Sequence, residues 1–204
     1  MKLHPRSGAA FADMKVGLLG GSFNPAHDGH LAMSLYALKQ LGLDQIWWLV
    51  SPQNPLKMTK DMAPLAKRMS YAKKIAAHPR LRVTDIEAYL GMRYTADTLK
   101  TLKSRFPRVH FVWLMGADNL RQIPRWQNWQ NIFRTVPVAV FRRPTYPAGR
   151  GLGQAAIMFN KTWLHPTQGK LLLHCDRPAW IMLDNKLNYN SATKIRKDNP
   201  TWQV

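Results

Sequence analysis

The sequence predicts a single α/β domain built on a doubly wound, mostly parallel sheet, and three observations carry that expectation. Short apolar runs alternate with segments of helical spacing, the first run ends in a glycine-rich turn that opens a helix, and 204 residues, 46% of them hydrophobic, suffice for one core. A helix between each pair of strands implies parallel pairing through right-handed crossovers, with helices on both faces of the sheet.

The elements follow in order. Residues 1–13 read as a disordered leader before a domain spanning 14–204, with Met14 as an alternative start. KVGLLG (15–20) is a buried strand closed by glycine, and HLAMSLYALKQLG places Leu31, Leu35, Leu38 and Leu41 at helical spacing before Gly42 stops the helix. QIWWLVS (45–51) is a second strand, followed by a polar loop and the helix LAKRMSYAKKIAAH, which ends at Pro79. LRVTDIE (81–87) is a third strand, TADTLKTLKSRF (95–106) a third helix and VHFVWLMG (109–116) a fourth strand. DNLRQI and WQNWQNIFR read as short helices separated by Pro124, and VPVAVF (136–141) as a fifth strand. Residues 143–169 are irregular, with a short helix near 155–159, and KLLLHC and AWIML are candidates for further strands.

Composition narrows the function. The net charge of +19, from 30 Lys+Arg against 11 Asp+Glu, attracts polyanions, nucleotides included. The basic residues, such as Lys67, Arg68, Lys73, Lys74, Arg80, Arg82, Arg142 and Arg143, are scattered rather than clustered, and no nucleic-acid module is visible. They read as a cationic solvated surface. Cys175 has no partner for an intrachain disulfide, and no apolar run reaches the length of a membrane span or a signal peptide. A cytoplasmic protein, monomer or homodimer, is expected.

Residues 20–30, GGSFNPAHDGH, sit where the first strand of such a sheet meets its ligand. Gly20 and Gly21 lack side chains, so a phosphate could approach backbone N–H groups, and the helix starting near Asp28 aims its positive end at the same place. His27 and His30 can face one phosphate and donate hydrogen bonds to charge that grows in a transition state. The P-loop and dinucleotide fingerprints are both missing. Two alternatives for the histidines stay open on the residues alone, a metal pair without a visible third ligand and ordinary turn histidines.

GGSFNPAHDGHL resembles the first signature of the nucleotidyltransferases that carry a His-x-Gly-His motif, in particular the bacterial nicotinate-nucleotide adenylyltransferases. NSATKIR (190–196) is similar to their second signature, with Asn190 and Ala192 as departures. The resemblance runs from Lys15 to Arg196. It implies a Rossmann-like adenylyltransferase fold and transfer of the adenylyl group of MgATP to nicotinate mononucleotide, giving deamido-NAD and pyrophosphate in NAD biosynthesis. On that resemblance His27 and His30 are catalytic, and Gly20, Gly21, Ser22, Phe23, Lys57, Gly116, Ser191, Thr193 and Arg196 bind ATP. Asn24, Tyr94, Thr95, Asp118 and Trp126 would bind nicotinate mononucleotide, the Tyr94–Thr95 backbone on the carboxylate and Trp126 on the ring. Mg²⁺ would arrive with ATP, and no protein metal site is expected. On the residues alone Asp118 also fits a helix N-cap and Trp126 a core position. Arg93 and Leu56 depart from the family pattern, and the chain runs eight residues past Arg196 where many relatives continue. Nicotinamide mononucleotide and phosphopantetheine are the rival acceptors, and a basic RNA-binding module is the rival outside enzymes.

Overall fold

The computed structural model describes residues 11–52, 62–142, 153–184, 192–198 and 202. Seven parallel strands form one sheet: β1 (Lys15–Gly21), β2 (Gln45–Val50), β3 (Leu81–Thr84), β4 (His110–Gly116), β5 (Val138–Phe141), β6 (Trp163–Leu164) and β7 (Trp180–Leu183), in the order β3-β2-β1-β4-β5-β7-β6. Between and around them lie α1 (Asp28–Gln40), α2 (Leu65–Ile75), α3 (Ile86–Tyr89), α4 (Thr95–Arg105), α5 (Ala117–Gln122), α6 (Trp129–Thr135), α7 (Gln154–Met158) and α8 (Ala192–Asp198).

The strands are buried on both faces, which is why they read as near-continuous apolar runs. Along β2 the period of two sends Trp47 and Leu49 to one face and Ile46, Trp48 and Val50 to the other. The first face packs against Leu99 and Leu102 of α4 and Ile132 and Phe133 of α6; the second packs against Ala37 and Leu38 of α1 and Ala72 of α2. The expected doubly wound layering is thus present.

Three expectations need correction. The sequence predicts a leader running to residue 13, yet Phe11 is only 2% exposed, with its ring edge-on to Trp47 at 5.3 Å and to Phe106 at 6.2 Å, and Asp13 pairs with Arg108. Edge-on contact with two core rings adds to the apolar area Phe11 buries, so the ring is more stable packed than solvated. The third strand stops at Thr84, because the Thr84 hydroxyl accepts the Ile86 amide and turns the chain into α3. KLLLHC is not a strand. Pro166–His174 forms 3₁₀ turns that bury Leu172 and leave Leu171 53% exposed, and Gly169 lies so close to the end of α1 that a Cβ there would sit 2.6 Å from the Gln40 carbonyl oxygen. The sheet instead gains Trp163–Leu164 as a two-residue edge strand.

Candidate active site

From β1 the chain passes to β2 on one side, while β4 lies on the other, so the loop after β1 opens at a topological switch point. Phe23 turns that loop with a left-handed φ of 45°, buried and stacked on Trp48 with ring centroids 5.0 Å apart. The Asn24–Pro25 peptide is cis.

His27 caps α1. Its Nδ1 accepts the Gly29 amide at 3.1 Å, and His30 Nδ1 reaches back to accept the His27 amide at 3.2 Å, which brings the two ring centroids within 3.9 Å. Each Nδ1 thereby acts as an acceptor, so the neutral rings carry their protons on Nε2. Two imidazole N–H donors are held side by side at the positive end of α1, an arrangement suited to phosphate oxygens.

The glycines at the end of β1 also have a packing role. Gly20 and Gly21 belong to β1, paired with Leu49 and Val50, and a Cβ on Gly20 would fall 2.3 Å from the Trp113 ring. The Trp113 indole covers Gly20, which leaves no room there for a Cβ.

Arg68 is the residue that sequence reasoning missed. It is 1% exposed, and its guanidinium donates to the carbonyls of Ala63 (2.8 Å), Ser22 (2.7 Å), Ser51 (2.7 Å) and Pro52 (3.0 Å). One cation ties the loop after β1, the loop after β2 and the start of α2 together. Burial lowers its pKa from the usual arginine value, and the planar fork of donors compensates. The signal was available, since Arg68 falls on the apolar stripe of α2 with Leu65, Met69 and Ala72.

Asn24 is a second knot. Its Oδ1 accepts the Ala63 amide at 3.2 Å and the Trp202 indole N–H at 2.8 Å, and its carbonyl accepts from Arg196. Arg196 is thus drawn from α8 to the histidine loop, with Thr193 exposed one turn earlier. Ser191 and Lys57 lie outside the described residues.

The residues expected to meet the acceptor lie elsewhere in the fold. Tyr94, extended, is the N-cap of α4, and Thr95 opens the helix. Trp126, half-buried, follows a 3₁₀ turn at Ile123–Arg125 and precedes α6. Helices α4 and α6 cover one face of the sheet, and in a parallel fold their N-terminal ends point to the carboxyl edge of the strands, where Gly116 ends β4. Gly116 caps α5, so Asp118 sits in that helix's first turn rather than at its N-cap. Trp129 fills the core, whereas Trp126 stays outside α6.

A cytidylyltransferase-like family model matches residues 18–198. A probable nicotinate-nucleotide adenylyltransferase of Parvibaculum lavamentivorans is 52% identical over 184 residues, covering 90% of this chain and 92% of the relative. One of a Ruegeria species is 47% identical, covering 90% and 97%. Among solved structures, the nicotinic acid mononucleotide adenylyltransferase of Plasmodium falciparum complexed with NaAD superimposes with a TM-score of 0.69 at 18% identity, covering 90% of this chain and 83% of that one. At that identity it supports the fold.

Proposed function

The chain belongs to the cytidylyltransferase-like family and, within it, to the nicotinate-nucleotide adenylyltransferases, and from that premise we propose how its own side chains carry the reaction. It transfers the adenylyl group of ATP to nicotinate mononucleotide, forming deamido-NAD and pyrophosphate in NAD biosynthesis. A phosphate oxygen of the acceptor attacks the α-phosphorus, and the bond from that phosphorus to the pyrophosphate oxygen breaks; no covalent enzyme intermediate is needed.

The reciprocal His27–His30 cap is the observation that supports this assignment. Both Nε2–H donors are fixed before substrate arrives, so they stabilise charge growing on the phosphate oxygens without reorganising. Thr193 and Arg196, with Lys57 and Ser191, would hold the outer phosphates; Gly21, Ser22, Phe23 and Gly116 would wall the nucleotide. Mg²⁺ is read as part of the MgATP substrate, its charge spread over phosphate oxygens. Tyr94 and Thr95 would present backbone to the nicotinate carboxylate, and Trp126 would stack on the electron-poor pyridine ring, with Asn24 and Asp118 nearby. The cytoplasm is the compartment we assign, with the enzyme acting as a monomer or homodimer.

Purified protein given ATP, Mg²⁺ and, in parallel, nicotinate mononucleotide, nicotinamide mononucleotide or phosphopantetheine tests this directly. Chromatography should show deamido-NAD and pyrophosphate forming fastest with the acid. Faster use of the amide would overturn the acceptor assignment while leaving the phosphate site in place.

A further inference from the structure

Behind the expected acceptor segment lies a carboxyl group that the reaction above does not use. Glu87 of α3 is 8% exposed, and its Oε1 lies 3.1 Å from the Thr98 hydroxyl. The same hydroxyl, wholly buried, lies 3.1 Å from the carbonyl oxygen of Tyr94. A hydroxyl has one proton, so it cannot donate to both.

We propose that Glu87, as a protonated acid, is a positioning residue for the acceptor: it donates to Thr98, whose hydroxyl then donates to the Tyr94 carbonyl and steadies the Tyr94–Thr95 peptide. This rests on the assignment of that peptide to the nicotinate carboxylate. When Glu87 ionises, its carboxylate becomes the stronger acceptor and draws the Thr98 proton to itself. The Tyr94 carbonyl is then left with the α4 amides of Asp97 (3.1 Å) and Thr98 (3.0 Å), and a negative charge stands behind a site meant for an anion.

The surroundings favour the proton. Burial pushes the Glu87 carboxyl up to about 7, with the Thr98 hydrogen bond opposing. Asp85 at the N-cap of α3 and Asp97 and Lys100 on α4 are exposed to solvent, and Arg93 in the intervening loop lies over the Tyr94 ring. Facing α3, β2 offers Trp47 and Leu49, which carry no charge, and Arg82 of β3 is engaged with Gln45 and Phe11. Glu87 therefore titrates near neutral pH, and on this proposal nicotinate binding and proton uptake are linked.

The test is KM for nicotinate mononucleotide from pH 6 to 8.5 in the wild type and Glu87→Gln, whose amide N–H can donate to Thr98 at every pH. The wild-type KM should rise about tenfold beyond any rise in the variant, with kcat changing less. A merely structural Glu87 would leave the two pH profiles parallel, and that result overturns the proposal. A second readout needs no variant: the Glu87 carboxyl, followed by carbon NMR or infrared difference spectroscopy, should titrate at higher pH once nicotinate mononucleotide is bound. An unmoved midpoint also overturns it. Thr95→Pro, read against Thr95→Ala to allow for the lost side chain, separates the two levels, because proline is tolerated at a first helical position and removes that amide proton donor. If KM is unchanged in Thr95→Pro, the peptide assignment fails and Glu87 falls with it; if KM rises there while the Glu87→Gln profile stays parallel, Glu87 alone is excluded.

Discussion

Around the loop after β1, the carbonyls of Ser22, Asn24, Ser51, Pro52 and Ala63 are taken by guanidinium groups from α2 and α8, whereas at the start of α4 the Tyr94 carbonyl meets local amides and the Thr98 hydroxyl. The first region is tied across three segments distant in sequence; the second is held within one short stretch, 87–98. That contrast fits a division of labour in which the reacting phosphates meet a rigid wall and the acceptor meets a more adjustable one.

The sharpest way to break the contrast is Arg68→Met. Four carbonyls lose their donor, and a loss of ~3–5 kcal/mol in stability is expected, seen as a melting temperature lower by roughly 10 °C. A variant that melts like the wild type would mean that the phosphate side is no more constrained than the acceptor side. Next comes His30→Asn, which keeps an acceptor for the His27 amide but loses the Nε2 donor. Its kcat should fall ~10²–10³-fold with little change in KM for ATP, and near-normal turnover would remove His30 from the chemistry.

Glu87 then sharpens the acceptor side through stability. Its folded-state pKa of about 7 lies above the ordinary 4.5, so the folded protein binds the extra proton. Stability should fall as pH rises from about 4.5 to 7 and level off above that, by on the order of 3 kcal/mol, and Glu87→Gln should abolish this slope in denaturant titrations. The smallest effect expected is Thr95→Pro against Thr95→Ala. Loss of one charge-assisted amide contact corresponds to ~1.5–3 kcal/mol, or at least a tenfold higher KM for nicotinate mononucleotide in the proline variant alone.

Much of this was legible in the sequence, for identifiable reasons. The alternation of apolar runs with helical spacing gave away the parallel order because parallel strands are buried on both faces. The histidine pair was legible because capping is local: its donors and acceptors lie within four residues. Arg68 looks like surface charge in the sequence because its partners are backbone carbonyls, 5 to 46 residues away and without side-chain identity. The three leucines of 171–173 mimic a strand, and only packing against the end of α1 makes them turns. Phe11 looked like part of a leader because its partners, Trp47 and Phe106, lie far along the chain.

The interior place of β1 also sets a timetable. Its neighbours are β2, about thirty residues on, and β4, where Lys15 aligns with His110. Nothing next to β1 in sequence can complete it, so its second edge stays open until more than half of the chain has been collected, and contacts of such long range form slowly. The histidine loop hangs from the end of that strand. Reactivity should therefore appear late in refolding, after most of the helical signal has returned, and in step with the burial of Trp113 over Gly20.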